Sequence, residues 1–392
     1  MSAEIPLPVV VVSGLDQAQR RRAVRELLVG APAAVVLHHD LSGAGDGIVV
    51  RRIWDNLGAS REARVPLVND CPCCALREDL LPELARIAGA GRHRLAVVEL
   101  WGGCDPQVMT ETIAVGEAGG RPMGEVTRIA GVVTAVDPAR LIPGLSQGDL
   151  LSDHGLHTGP DDERTFAEAL ARQVEYASVL AVAAGHGLGE TRPGLAMLRH
   201  LQPSARVVRL GAGELPGAAR AGFNVLTAAH RVSPALARMP QEDEEDGVAT
   251  MVWEARRPFH PARLYEALDL LVPAAQRSRG RFWLANRPEV MLGWDAAGGS
   301  LAVENCGPWL ACLPDEEWDR HSPERRAAAA ADWDPRWGDR SQLLAFTAQG
   351  LDTVGLRQLL DSSLLTDGEL AAGEEGWKTL PDEFAELLDP VP

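Results

Sequence analysis

Short apolar runs that alternate with stretches of helical spacing constrain this chain more than any other feature. Residues 7–12, 33–37, 95–98, 131–136, 179–183 and 206–210 read as buried strands, and 17–28, 78–88, 165–176 and 195–201 as helices between them. Strand–helix alternation implies a mostly parallel sheet covered on both faces, because parallel strands need crossover connections. The expected fold class is α/β, with a doubly wound, mostly parallel sheet. The acidic run 241–246 after Pro240 interrupts this pattern and reads as a solvated linker. Beyond it, strands at 250–253, 281–285, 290–294 and 343–347 and helices at 261–271 and 353–360 describe a second, smaller α+β domain. The domains are therefore expected at 1–240 and 247–392.

With 392 residues, 46% of them hydrophobic, the chain can bury two cores. Its net charge of −17 disfavours direct, sequence-specific contact with nucleic acid, which relies on clustered Lys and Arg. No stretch reads as a leader peptide or a membrane span, so a cytoplasmic protein without membrane partners is expected. Most tryptophans of the second domain, such as Trp253, Trp283, Trp294 and Trp309, are expected to pack its core.

The first strand runs through Ser13 into Gly14, the usual entrance to a phosphate-binding loop. Such a loop needs further glycines, then a Lys for the phosphates and a Ser or Thr for Mg²⁺. Counted from Gly14, those places hold Gln17, Gln19, Arg20 and Arg21. Arg20 could grip a phosphate as a charged fork, but not with the geometry of a compact ammonium. Arg21 cannot ligate Mg²⁺. On this loop alone, a nucleotide fold that has lost catalysis competes with an unrelated α/β domain. Gly14 and Arg20 are the candidate cofactor-binding residues, with GTP the candidate ligand of a weakened site, and no catalytic residue is assigned.

The segment Asn69-Asp70-Cys71-Pro72-Cys73-Cys74 supplies three thiols within four positions, in a chain with only six cysteines. Thiolates so spaced suit Zn²⁺, which prefers four ligands. His39 and Asp40, after the second strand, are candidates for the fourth, and His39 is preferred. Cys306 and Cys312 are expected in a core, and His154 and His157 in a solvated loop.

The cysteine segment, continuing as Ala75-Leu76-Arg77-Glu78-Asp79-Leu80, resembles the Gly-Cys-x-Cys-Cys-x-x-Arg-x-Asp-Leu motif of the CobW-like GTPases, a family of zinc and cobalt metallochaperones. His39 falls where that family carries a Glu associated with metal. Further likenesses are Glu99-Leu100-Trp101-Gly102 after the third parallel strand, Arg257-Pro258-Phe259-His260-Pro261, Arg279-Gly280-Arg281-Phe282-Trp283, and Trp333-Asp334-Pro335 with Trp337-Gly338-Asp339-Arg340. The chain departs from the family at the guanine-reading Asn-Lys-x-Asp, where Ala184-Gly185-His186-Gly187 stands.

Phosphate grip, Mg²⁺ ligation and base recognition are thus altered at separate places. With Val49-Val50-Arg51-Arg52 after the second strand, this combination resembles the actinobacterial branch of ribosome hibernation factor-recruiting GTPases. The resemblance implies a zinc-binding protein of the zinc-limitation response, an adaptor whose partners are a hibernation factor and the ribosome. An active GTP-dependent zinc metallochaperone is the alternative.

Overall fold

The structure is a computed structural model that describes residues 6–56, 58–66, 72–183, 188–236 and 243–388, with the side chains at 72, 73, 75, 77 and 188–190 outside the described set. The chain divides into two compact units, Met1–Ala229 and His230–Pro392.

The first unit is built on an eight-stranded sheet. Its strands are β1 (Leu7–Ser13), β2 (Ala34–Asp40), β3 (Ile48–Asp55), β4 (Ser60–Pro66), β5 (Leu95–Glu99), then, after a two-residue-strand hairpin (β6, Glu117–Ala118; β7, Arg121–Pro122), β8 (Thr127–Val136), β9 (Val179–Val182) and β10 (Arg206–Arg209). The order is β10-β9-β8-β1-β5-β2-β3-β4. The six strands from β10 to β2 are parallel, and β3 and β4 add an antiparallel hairpin at the far edge. This is the doubly wound sheet the alternation implied. The central strands carry almost continuous Val and Ala because both faces are covered: Val9, Val10, Val11 and Val12 are all fully buried.

Helix α1 (Gln17–Gly30) buries Arg20, Ala23, Val24 and Leu27, an i, i+3, i+4, i+7 stripe with a charged residue at its head. Helix α2 (Pro72–Gly89) carries Cys73 and Cys74 in its first turn and begins six residues before the helical spacing expected at 78–88. Among the described residues no helix is long and apolar enough to cross a membrane.

The second unit is an antiparallel six-stranded sheet ordered β11-β12-β16-β13-β14-β15. These strands are β11 (Asp243–Glu245), β12 (Val248–Ala255), β13 (Arg277–Phe282), β14 (Val290–Ala297), β15 (Ser300–Pro308) and β16 (Gln342–Gln349). Part of the acidic run read as a linker is thus the edge strand β11, turned back onto β12 through Asp246 and Gly247, both at positive φ. Charges on a short edge strand face solvent, so acidity alone does not distinguish it from a linker. One sheet face packs on Pro261–Leu271 and Thr353–Ser362 around Trp253, Phe259, Phe282, Trp294 and Phe346. Trp283, Trp309 and Trp377 form a second cluster, while Trp333 stays 51% exposed.

Candidate functional site

The parallel strands end, at their C-terminal side, where such sheets bind ligands. Ser13 closes β1 with its hydroxyl 2.9 Å from that of Thr134 on β8. Gly14 follows with φ +139°, and a Cβ there would stand 2.4 Å from the Ala135 carbonyl oxygen, so only glycine fits. Three residues later, at Gln17, the helix begins. Asp16 is its N-cap, and its carboxylate accepts hydrogen bonds from the Ala18 and Gln19 amides at 2.8 and 3.2 Å. Those amides belong to the helix N-terminus that a bound phosphate would use. A carboxylate of the chain itself stands there.

Arg20 points back under this turn rather than outward. It is 1% exposed, and its Nη1 donates to the carbonyl oxygens of Gly14 and, at 3.4 Å, Leu15. Its Nε lies 3.8 Å from the carboxylate of Glu99, itself buried at the end of β5. Burial lowers the Arg20 pKa, opposed by the Glu99 charge; burial raises that of Glu99, opposed by Arg20. Each charge is tolerable in this dry place because of the other.

A second segment closes over the same spot. A Cβ on Gly102 would meet Leu156 Cδ2 at 2.7 Å and Arg20 Nη1 at 3.3 Å, and one on Gly103 the Leu156 carbonyl oxygen at 2.1 Å. The Trp101 indole donates to the Leu156 and His157 carbonyls, and Arg164 donates to Gly103 O at 2.9 Å while pairing with Asp162. His154, within the short 3-10 turn Leu151–His154, packs on Phe166 near Asp149. Neither His154 nor His157 belongs to a gathered ligand set among the described residues.

Of the expected zinc ligands, Cys71 lies outside the described residues, as does the side chain of Cys73. Cys74 is half-buried in the first turn of α2. His39 is buried at 3% exposure, and its Nε2 is 2.7 Å from Asp79 Oδ2 on α2. Arg51 binds the other Asp79 oxygen at 2.6 Å. Only Nδ1 of His39 therefore remains to meet a metal. Asp40 is taken up by Arg52 at 2.8 Å and by the Ser42 amide. His38 contacts the Glu99 carbonyl through Nδ1 at 2.9 Å, and because a carbonyl only accepts, that nitrogen carries the proton. Burial pushes the His38 pKa down to about 4.

The other cysteines are poorly suited to metal. Burial pushes the Cys104 thiol up to about 12 and Cys306 to about 11, and raises Cys312 as well, whereas the ligand is the thiolate. The sequence reading missed two site residues, Asp16 and Asp79. Asp16 was findable as an N-cap preceding a helical stripe, with Gln19 three residues on. Asp79 stands in the Arg-x-Asp-Leu likeness, but its contact with His39 has no sequence signal, because the two lie 40 positions apart.

The chain matches the family model described as CobW/HypB/UreG, nucleotide-binding domain, over residues 48–185, and that of the cobalamin synthesis protein cobW C-terminal domain over 248–364. The first match begins downstream of the 14–21 turn. A zinc chaperone of Mycobacterium tuberculosis is 32% identical over 402 residues, 97% of this chain and 94% of that one. The zinc-regulated GTPase metalloprotein activator 1 of Dictyostelium discoideum is 28% identical over 334 residues, 82% of this chain and 70% of that one. The Zn(II)-bound YjiA GTPase of E. coli is 15% identical, with 92% of this chain and 100% of that one covered, at a TM-score of 0.39.

Proposed function

This chain belongs to the CobW family, and on that premise we propose that it is a zinc-binding member whose phosphate cradle is filled by its own side chains. The observation that carries this reading is the pose of Arg20. In a working loop the backbone amides and a lysine converge on the phosphates. Here Asp16 takes the first amides of α1 and Arg20 spends its fork on the Gly14 and Leu15 carbonyls beside Glu99. Negative and positive partners of a phosphate site are both supplied internally. An incoming nucleotide would have to displace a buried ion pair and a helix cap, with neither a Mg²⁺ ligand at Arg21 nor a base-reading Asp to compensate. The altered 184–187 segment itself lies outside the described residues.

Zinc binding rests on the donor chemistry of Cys71, Cys73 and Cys74 and on the zinc-related names of two relatives. His39 completes the set through Nδ1, with Asp79 fixing its other nitrogen, an arrangement common around metal-bound imidazoles. The finer role is that of an adaptor bringing a hibernation factor to ribosomes during zinc limitation. It rests on the motif resemblance and on a net charge that favours a protein partner over RNA.

Calorimetric titration with GTP and with ATP, in Mg²⁺, on zinc-free and zinc-loaded protein tests the cradle. The expected result is no saturable heat for either nucleotide. Tight Mg²⁺-dependent GTP binding would replace this reading with that of a GTP-driven zinc metallochaperone. For the adaptor role, zinc-starved cells lacking the protein should show less hibernation factor on sedimented ribosomes, and an unchanged amount rejects it.

A further inference from the structure

The eight-stranded sheet ends on β4, which pairs only with β3 among the described strands. Ser60, Arg61, Glu62, Arg64 and Pro66 are exposed, and Ala63 and Val65 half-buried. A seven-residue strand whose outer edge is unpaired among the described residues is a template for another strand. The backbone alternation fixes which groups it offers. The Asp55 amide donates to the Ala59 carbonyl, so the register makes 53/61, 51/63 and 49/65 the mutually bonded pairs. The polar groups of Ser60, Glu62 and Arg64 then point outward, as does the nitrogen of Pro66, which has no proton to donate.

We propose that β4 pairs antiparallel with β4 of a second copy of this chain, about a two-fold axis through Ala63. In that register Glu62 lies opposite Arg64 of the second copy, and Arg64 opposite its Glu62. Both are hydrogen-bonded pairs, with the side chains of each pair on one face of the sheet. Ser60 lies opposite Pro66, whose missing N–H costs only the terminal bond. Centring the axis on Arg61, Glu62 or Arg64 instead places each of those charges against its own copy, and like charges directly opposite repel. Charged residues and a proline ordinarily protect an edge from foreign strands. Among the self-pairing registers centred on residues 61 to 64, only the one about Ala63 sets these charges against opposite ones. The interface is isologous and closes after two copies, so it does not propagate into fibres. A single strand pair buries less than the roughly 1,000 Å² of a stable interface, so the dimer forms reversibly with concentration.

Sedimentation velocity on the full chain, from micromolar to near-millimolar concentration, tests the pairing. EDTA excludes bridging by zinc, and nucleotide is omitted, so the outcome is independent of the cradle and zinc readings. The mass should rise from 42.0 kDa towards twice that value. Glu62→Arg and Arg64→Glu should each weaken association at least about tenfold by setting like charges opposite. An equimolar mixture of the two variants should recover it, as should the swapped double variant Glu62→Arg/Arg64→Glu. Glu62 is 65% exposed and meets Arg52, which also holds Asp40, and Arg64 is exposed, so reversing either charge should leave the fold intact. A chain that stays at 42.0 kDa throughout, a dimer indifferent to either reversal, or no recovery in both the mixture and the double variant overturns the proposal.

Discussion

Replacing Arg20 with methionine removes the group on which the reading of the cradle depends, while keeping most of the apolar length of the side chain. Glu99 is 4% exposed, and its carboxylate pairs with Arg20. Breaking a buried pair from one side leaves an uncompensated charge and typically costs about 3–5 kcal/mol. The carbonyls of Gly14 and Leu15 lose a donor as well. For a unit of this size the loss should lower its calorimetric transition by on the order of 10 °C. The sign of the pH dependence follows from Glu99. Burial already raises its pKa and Arg20 opposes the rise, so the variant's carboxyl is raised further. A carboxyl with a higher pKa folded than unfolded binds its proton more tightly in the native state, so stability falls as pH rises through that range. The deficit of Arg20→Met relative to the parent should therefore be smallest in acid and largest at neutral pH. Adding Glu99→Gln should recover most of it and flatten the profile. Equal stability of Arg20→Met and the parent at neutral pH, or a deficit that ignores pH, would refute the buried-pair argument.

Zinc content measured by mass spectrometry should fall from about one ion per chain to near none in Cys71→Ser/Cys74→Ser, as expected for a thiolate-held tetrahedral ion. It should stay unchanged in Cys306→Ser/Cys312→Ser, whose thiols are raised by burial. The combined change Gln17→Gly, Gln19→Gly, Arg20→Lys and Arg21→Thr should not restore guanine-specific binding in titrations, because Asp16 still caps α1 and the base-reading residues are still missing. Gly103→Ala places a methyl 2.1 Å from the Leu156 carbonyl oxygen, so the segment over the cradle must shift. The expected cost is about 1–3 kcal/mol, with faster proteolytic cleavage at 151–164 as the readout.

The parallel core was legible because both of its faces are buried, so each strand is a continuous apolar run with helices between. The hairpin β3–β4 was not. Its residues Arg51, Arg52, Arg61, Glu62 and Arg64 are charged, and β3 buries only Val49 and Ile53, so too few apolar residues alternate to mark the strands. β15 was missed for the same reason, with Glu304 and Asn305 facing solvent. Gly14, Arg20, Cys74 and His39 could be named from spacing and motif likeness. What those residues do depends on partners distant in sequence, Glu99 for Arg20 and Asp79 for His39; each partner stands in a motif likeness, but no local pattern announces the pairing.

Arginine at position 20 is physically different from a lysine that keeps the charge. An ammonium at the end of a flexible stem is strongly hydrated and is held in a cradle chiefly by the anion it serves. A guanidinium has five donors in a plane and can be satisfied by carbonyls, and the Gly14 and Leu15 oxygens lie within its reach. Once it turns inward, Glu99 gains a permanent counterion and the Asp16 cap meets no competitor for the α1 amides. The end of β5 is then tied to β2, where the His38 ring donates to the Glu99 carbonyl, and the adjacent His39 is bonded to Asp79 on the helix that carries Cys74. On the proposed reading, the order that a phosphate imposes when it binds such a loop is supplied instead by the chain's own ion pair. Zinc at the cysteine loop would therefore be held by a scaffold already set, without a nucleotide to bring it into place.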